Sequence, residues 1–307
     1  FSSANIAYGK WDMNRIFSDY YSKYLKAQGR PQGETAHRYV MALGRVMRTL
    51  TERFPHILFE GCAAGGNRFD LGILCYFPQI WASDNTDAVS RAYIQEGLSY
   101  GYPMSTVSAH VSVCPNHQTL RVTPLSTRFN VAAFGICGYE CNLVDMSRAE
   151  RSEIKTQIDI YKKWRHAMQF GSFYRQRTGN IHQWTVVDEE AGRAVGLIMQ
   201  ELVRANTQNE EYYAAGLDPE AVYSFYNRPL KHNVKEFGDL INTVAPIHIR
   251  QGSLLHGMVA KFVTMPGETE KYELSGSMLM NCGVRLKQAF AATGFSEEVR
   301  HFPDFAS

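Results

Sequence analysis

The chain has 307 residues, 45% hydrophobic and 20% charged, enough for a packed core and for about two domains. Its 32 basic and 30 acidic residues are interspersed and leave a net charge of +2, which excludes the electrostatic footprint of a nucleic-acid or acidic-membrane binder. No apolar run reaches the roughly 18 residues that a membrane span needs. The first predicted element is a strand, Ile6 to Arg15, an apolar run that ends in Lys10-Trp11-Asp12 and a polar turn. A carboxylate at a strand's C-terminal end beside a cation occupies the position of catalytic groups in α/β barrels. Lys10 is expected to keep Asp12 ionised, and the Trp11 indole offers a wall for a sugar's C–H face; a structural ion pair would carry the same residues.

After a polar, tyrosine-rich stretch, the spacing of Val40, Leu43, Met47 and Leu50 predicts a helix over 34–54, closed by Pro55. A short strand at 57–60 runs into the small-residue loop Gly61-Cys62-Ala63-Ala64-Gly65-Gly66-Asn67-Arg68, where backbone can approach a ligand closely. A third strand, 78–83, leads to Asp84-Asn85-Thr86-Asp87 and a helix over 87–98. One of these acids can cap the helix, which leaves the other spare. An alternating strand is predicted at 105–113. His110 within it and His117 after it are read as structural histidines rather than ligands or bases. A helix at 124–134, a strand at 138–143 and a helix from Ser147 to Phe170 complete five strand–helix alternations, the pattern of a parallel sheet.

At Gly171 the pattern changes. Strands at 182–187 and 194–203 flank an Asp188–Gly192 hairpin, and further strands are predicted at 222–226, 254–263 and 272–274, an all-β module. Trp184 is expected in its core. The six cysteines (Cys62, Cys75, Cys114, Cys137, Cys141 and Cys282) lack Cys-x-x-Cys spacing and read as reduced core thiols of a cytoplasmic protein, not as a zinc site. A start at Phe1-Ser2-Ser3 and an end in strand-like sequence at Phe305-Ala306-Ser307 are those expected of a fragment.

Taken together, Lys10-Trp11-Asp12-Met13-Asn14-Arg15, the Cys62 loop with Arg68-Phe69-Asp70, Trp81-Ala82-Ser83-Asp84-Asn85-Thr86-Asp87-Ala88, Ala109-His110-Val111-Ser112, Pro115-Asn116-His117-Gln118-Thr119 and Arg121-Val122-Thr123-Pro124 form an ordered set. This set resembles glycoside hydrolase family 36, the retaining α-galactosidases. The resemblance implies that residues 1–170 are the fourth to eighth strands of a (β/α)8 TIM barrel and 171–307 a C-terminal antiparallel β-sandwich domain. It implies Asp12 as nucleophile and Asp84 as general acid/base. Lys10, Trp11, Asn14, Cys62, Ala63, Ala64 and Gly65 would contact substrate or hold the nucleophile. Burial is expected to keep Asp84 protonated, and retention needs the two carboxyl groups about 5–5.5 Å apart. The implied substrate is a terminal α-galactoside of the melibiose or raffinose type, with no metal or organic cofactor. The resemblance also implies a homo-oligomeric full-length parent, a tetramer. The fragment alone is expected to be inactive, because five strands cannot close an eight-stranded barrel. Where many relatives have Cys-Ser-Gly-Gly-Gly-Gly-Arg, this chain has Cys62-Ala63-Ala64-Gly65-Gly66-Asn67-Arg68, which keeps a retaining α-N-acetylgalactosaminidase as an alternative. The other alternative is a non-catalytic carbohydrate-binding fragment.

Overall fold

Strand and helix alternate through the first 170 residues of the computed structural model, which describes residues 1–15, 17–201, 211–228, 230–234, 241–243 and 245–286 and the backbone of 305–306. β1 (Tyr8–Asp12) is followed by α1 (Lys23–Ala27) and α2 (Glu34–Arg53), β2 (Leu58–Cys62) by α3 (Leu71–Leu74), and β3 (Gln79–Trp81) by α4 (Ala88–Leu98). β4 (Val107–Ser112) leads to α5 (Leu125–Ala132), and β5 (Ile136–Glu140) to α6 (Arg148–Phe170). The five strands pair in chain order and every neighbour is parallel, so their C-terminal ends share one edge of a curled half-barrel sheet.

Local chemistry explains most boundaries. Leu43, Met47 and Leu50 pack α2 on Phe59, Phe77 and Ile80 of the sheet side. Ser147 and Glu150 form a reciprocal capping box that starts α6. Ser22 and Asp70 cap α1 and α3, two short helices that hydrophobic spacing does not announce. β4 does not alternate as predicted: Val107, Ser108, Ala109, Val111 and Ser112 are all buried. β5 stops at Glu140, short of the predicted Leu143.

The remaining chain is mostly antiparallel. β6 (Ser172–Thr178), β7 (Ile181–Asp188) and β8 (Arg193–Gln200) form a meander, with the predicted hairpin closed by Ala191 N–H donating to Asp188 Oδ1 at 3.2 Å. There follow β9 (Glu211–Tyr212), β10 (Val222–Tyr226), β11 (Lys231–Asn233), α7 (Leu254–Phe262), β12 (Thr264–Pro266), β13 (Lys271–Ser275), α8 (Gly276–Asn281), β14 (Val284–Arg285) and β15 (Phe305–Ala306). β15 pairs with β8, and β10–β13, β11–β12 and β9–β14 are two-stranded ladders. The strand predicted at 254–263 is instead the helix α7. Ser253 caps it, accepting from His256 N–H at 3.1 Å, and a short apolar run does not separate helix from buried strand. Residues 202–203 of the strand predicted at 194–203 lie outside the described residues.

All six cysteines are free, but Cys75 and Cys282 are exposed, so the reading of every thiol as core does not hold. Among the described residues no helix is long and apolar enough to cross a membrane.

The antiparallel meander sits on α4 and α5. Ala92, Val131, Phe134, Trp184, Val186, Leu197 and Met199 form one core, with Trp184 fully buried as expected. At its margin one face of α4 is gripped by charge. Fully buried His182 bonds Glu96 Oε2 through Nδ1 (2.9 Å) and Glu201 Oε1 through Nε2 (2.7 Å), and Trp184 Nε1–H donates to Glu96 Oε2 at 3.2 Å. Removing the ring leaves two carboxylates facing each other with no group between them. His182→Ala should therefore cost about 3 kcal/mol or more in urea unfolding; a loss below about 1 kcal/mol would contradict a structural role for this cluster.

Candidate active site

The site is built on the shared C-terminal edge of the parallel sheet. On β1 the residues alternate, so Tyr8, Lys10 and Asp12 lie on one face and Gly9 and Trp11 on the other. Register places Asp12 beside Cys62 and Lys10 beside Glu60. Glu60 is fully buried; it accepts from Gln79 Nε2 at 2.9 Å and from the Tyr8 hydroxyl, and Lys10 Nζ stands 3.8 Å away. Trp11 turns away from Asp12, into the core with Phe77 at 5.8 Å between ring centroids. It therefore does not supply the aromatic wall that its sequence position suggests.

Asp12 is exposed and well supplied with donors. Desolvation alone would raise its pKa, but hydrogen bonds from the Cys62 thiol, the Asn14 amide and the Ala64 N–H outweigh it, and Lys10 adds a smaller attraction. The result is a carboxyl held below the usual carboxylate range. Lys10, expected to be the main cause, is the least of them. Because the folded value is depressed, the contribution to stability is present above the ordinary value near pH 4 and is lost as pH falls through the folded one. Burial, with the Asp12 carboxylate beside it, pushes the Cys62 thiol up to about 11, so it remains an S–H donor.

The loop after β2 makes this cradle. Ala64 N–H also donates to Asn14 Oδ1 at 2.7 Å, so Asn14 ties the loop to the end of β1. Ala63 N–H donates to Gly65 O at 2.9 Å, and Asn67 Nδ2 to Ala63 O at 2.8 Å. Ala64 (φ 47°) and Gly65 (φ 79°) are both left-handed. Alanine is strained there, so Ala64→Gly should raise stability by about 0.5–1 kcal/mol, read by thermal or urea unfolding; a loss of stability would contradict the strain. Gly65 is needed for space as well: a Cβ there would meet Ser83 Cα at 2.8 Å and Asp84 N at 3.1 Å. The loop around Asp12 and the segment carrying Asp84 thus touch backbone to backbone.

Asp84 follows β3 and is exposed, so the burial expected to keep it protonated is absent. Its Oδ1 accepts from Trp81 Nε1–H at 2.9 Å. Lys10 Nζ lies over the face of the same indole, 4.5 Å from its centroid, so one ring touches both the β1 cation and Asp84. Asp87 occupies the N-cap position of α4, but its side chain makes no cap bond. It is buried and accepts from Arg121 Nε at 3.0 Å, which leaves Asp84 as the spare acid. Asn116 Nδ2 donates to Thr86 Oγ1 at 3.0 Å, fastening the 114–121 loop over this segment. His110 Nδ1 pairs with Glu140 Oε2 at 2.9 Å, whereas His117 is exposed. Sequence reasoning missed Glu60 and Trp81 as parts of this site. The two-residue period of β1 already puts Trp11 opposite Asp12, and Trp81 stands only three residues before Asp84, although no periodicity marks that contact.

The Melibiase family profile matches residues 1–171, and that of the glycosyl hydrolase family 36 C-terminal domain matches 181–307. Alpha-galactosidase 1 of Pediococcus pentosaceus is 46% identical over 224 residues, 72% of this chain and 30% of that protein. The crystal structure of the α-galactosidase AgaA of Geobacillus stearothermophilus is similar with a TM-score of 0.75 at 36% identity, over 100% of this chain and 35% of that one. The α-galactosidase from Lactobacillus brevis gives a TM-score of 0.77 at 34% identity, over 99% of this chain and 35% of that one. This chain spans about a third of the length of these relatives. With a family profile over more than half its residues and these relatives along its length, the chain belongs to glycoside hydrolase family 36.

Proposed function

We propose that this chain carries the two catalytic carboxylates of a retaining α-galactosidase, and that residues 1–170 are the fourth to eighth strands of a (β/α)8 barrel followed by a β-sandwich domain at 171–307. The observation that carries the reading is the approach of Gly65 to Ser83 and Asp84, which links the donor-lined Asp12 cradle to the segment bearing the second acid. Asp12, held ionised, attacks the anomeric carbon from the face opposite the leaving group. Asp84 in its protonated form donates to the glycosidic oxygen. Water then enters with Asp84 as base, releases Asp12 and gives net retention. Hydrogen bonds that favour the charged carboxylate suit Asp12 to nucleophilic attack, and an exposed Asp84 can exchange its proton with water between steps.

Lys10, Asn14 and the Cys62–Gly65 loop are read as the hydroxyl-contacting floor of the sugar site. Relatives support the substrate class: a variant of AgaA has been crystallised with raffinose and another with stachyose. The five-stranded sheet leaves a barrel unclosed, so the 307-residue chain alone is expected to turn over little or no substrate. The test compares this chain alone and within a full-length family 36 protein on p-nitrophenyl α-galactoside and on its 2-acetamido counterpart. The expected result is hydrolysis of the α-galactoside by the full-length protein only. Preference for the 2-acetamido sugar would overturn the substrate, and robust turnover by the isolated chain would overturn the need for the remainder.

A further inference from the structure

Trp81 is the one buried side chain that reaches Asp84's carboxylate among the described contacts, and nothing in the two-carboxylate mechanism uses it. The indole is 3% exposed and donates from Nε1 to Asp84 Oδ1 at 2.9 Å. Its ring is held by neighbours on three elements. The His110 imidazole of β4 stacks on it at 4.3 Å and 27°, Lys10 Nζ of β1 lies 4.5 Å from its centroid, and the Arg91 guanidinium of α4 lies 4.8 Å away. His110 is fixed in turn. Its Nδ1 pairs with Glu140 Oε2 at 2.9 Å, and a Cβ on Gly138 would meet His110 Cδ2 at 2.9 Å, so glycine at the paired position of β5 makes the room the imidazole occupies.

We propose that Trp81 is a positioning residue for Asp84, and that His110, anchored by Glu140, holds the indole in register. The inference rests on Asp84 being the acid of the proposed reaction. An indole N–H can only donate, and the carbonyl oxygen of a carboxylic acid accepts more strongly than its hydroxyl oxygen, so the contact favours the unprotonated oxygen at Oδ1. The catalytic proton is thereby favoured on Oδ2, and rotation of the carboxyl about its own bond is restrained. A general acid works only when its proton lies within hydrogen-bond reach of the leaving oxygen, so biasing which oxygen carries it acts directly on the glycosidic-bond-breaking step. The stacked imidazole matters because an indole free to turn would release the carboxyl.

The test is the dependence of kcat/KM on the leaving group, which a merely structural defect does not alter. In a full-length family 36 protein carrying this chain, Trp81→Phe keeps the ring and deletes the donor. It should lower kcat/KM on raffinose, whose leaving group needs a proton, by about 10- to 100-fold. On 2,4-dinitrophenyl α-galactoside, whose leaving group needs none, the loss should stay within about 3-fold. Glu140→Gln, at an exposed strand end, should give a smaller loss with the same bias. Equal losses on both substrates, or no loss on raffinose, would overturn the positioning role. Asp84→Ala serves as the reference: if it shows no leaving-group bias, the acid assignment fails, not the Trp81 contact. A second readout needs neither turnover nor a substituted tryptophan. In the 15N-labelled 307-residue chain one indole N–H signal should shift with pH, and Asp84→Asn should abolish that response. If no indole signal loses its pH response in Asp84→Asn, the contact does not exist in solution.

Discussion

Asp12→Ala, in a full-length family 36 protein carrying this chain, should lower kcat by roughly 10⁴-fold or more, the scale on which a covalent nucleophile is lost. The contacts around Asp12 say why no neighbour should replace it. Cys62 is a thiol pushed up to about 11 and is already a donor to that carboxylate, and Asn14 and the Ala64 N–H can only hold an anion, not attack a carbon. The hole left by the truncation also makes the roles separable. Azide added to Asp12→Ala can enter where the carboxylate stood and should give β-galactosyl azide, with inversion. Azide added to Asp84→Ala reaches the sugar only after Asp12 has attacked and should give α-galactosyl azide, with retention. Activity near normal in Asp12→Ala, or the opposite pair of azide products, would reverse or remove the assignments.

Gly65→Ala should lower kcat by about 100-fold, although glycine contributes no functional group. Two costs add at this position. The backbone is left-handed at φ 79°, which costs an L side chain about 1–2 kcal/mol to adopt. The new methyl would sit 2.8 Å from Ser83 Cα and 3.1 Å from Asp84 N, against backbone that has no rotamer to give. Relief has to come from moving the Asp84 segment away from the Asp12 cradle, and a shift of about 1 Å in reacting groups costs about 100-fold. Gly97→Ala is the matched control, since nothing lies within 4 Å of the place its methyl would take and it sits within α4. That change should leave kcat unaltered and stabilise the fold by about 0.5–1 kcal/mol. Equal behaviour of the two variants would remove the close approach from the account.

The features legible in the sequence were those carried by short-range pattern. Strand–helix alternation announced the parallel sheet, and strand-end position singled out Asp12 and Asp84. Glycines at 65 and 66 announced a close backbone approach without naming what approaches. Much of what the sequence hid depends on partners far along the chain. Of the donors around Asp12, the Cys62 thiol and the Ala64 N–H come from the end of β2 and its loop and the Asn14 amide from just beyond β1, so charge proximity on β1 overstated Lys10. Asp84's exposure and its Trp81 partner follow from how a short loop leaves β3, which no periodicity encodes. The sequence at 254–262 reads as a strand and folds as a helix because Leu254, Leu255, Met258 and Phe262 are exposed apolar residues, and an apolar run has the pattern of a buried strand. The Glu96–His182–Glu201 cluster draws Glu96 to a residue more than eighty positions away and leaves no local trace.

The most direct measurement is covalent labelling. A fluorinated α-galactosyl fluoride that forms the glycosyl-enzyme quickly and releases it slowly should be incubated with the full-length protein, which is then digested with trypsin and mapped by mass. Cleavage after Lys10 and Arg15 yields Trp11-Asp12-Met13-Asn14-Arg15, whose one side-chain carboxyl is Asp12. One galactosyl adduct is expected on that peptide, and its loss in Asp12→Ala. An adduct on the peptide from Phe69 to Arg91 that carries Asp84, or no adduct in a protein that hydrolyses α-galactosides, would contradict the assignment of Asp12 as nucleophile.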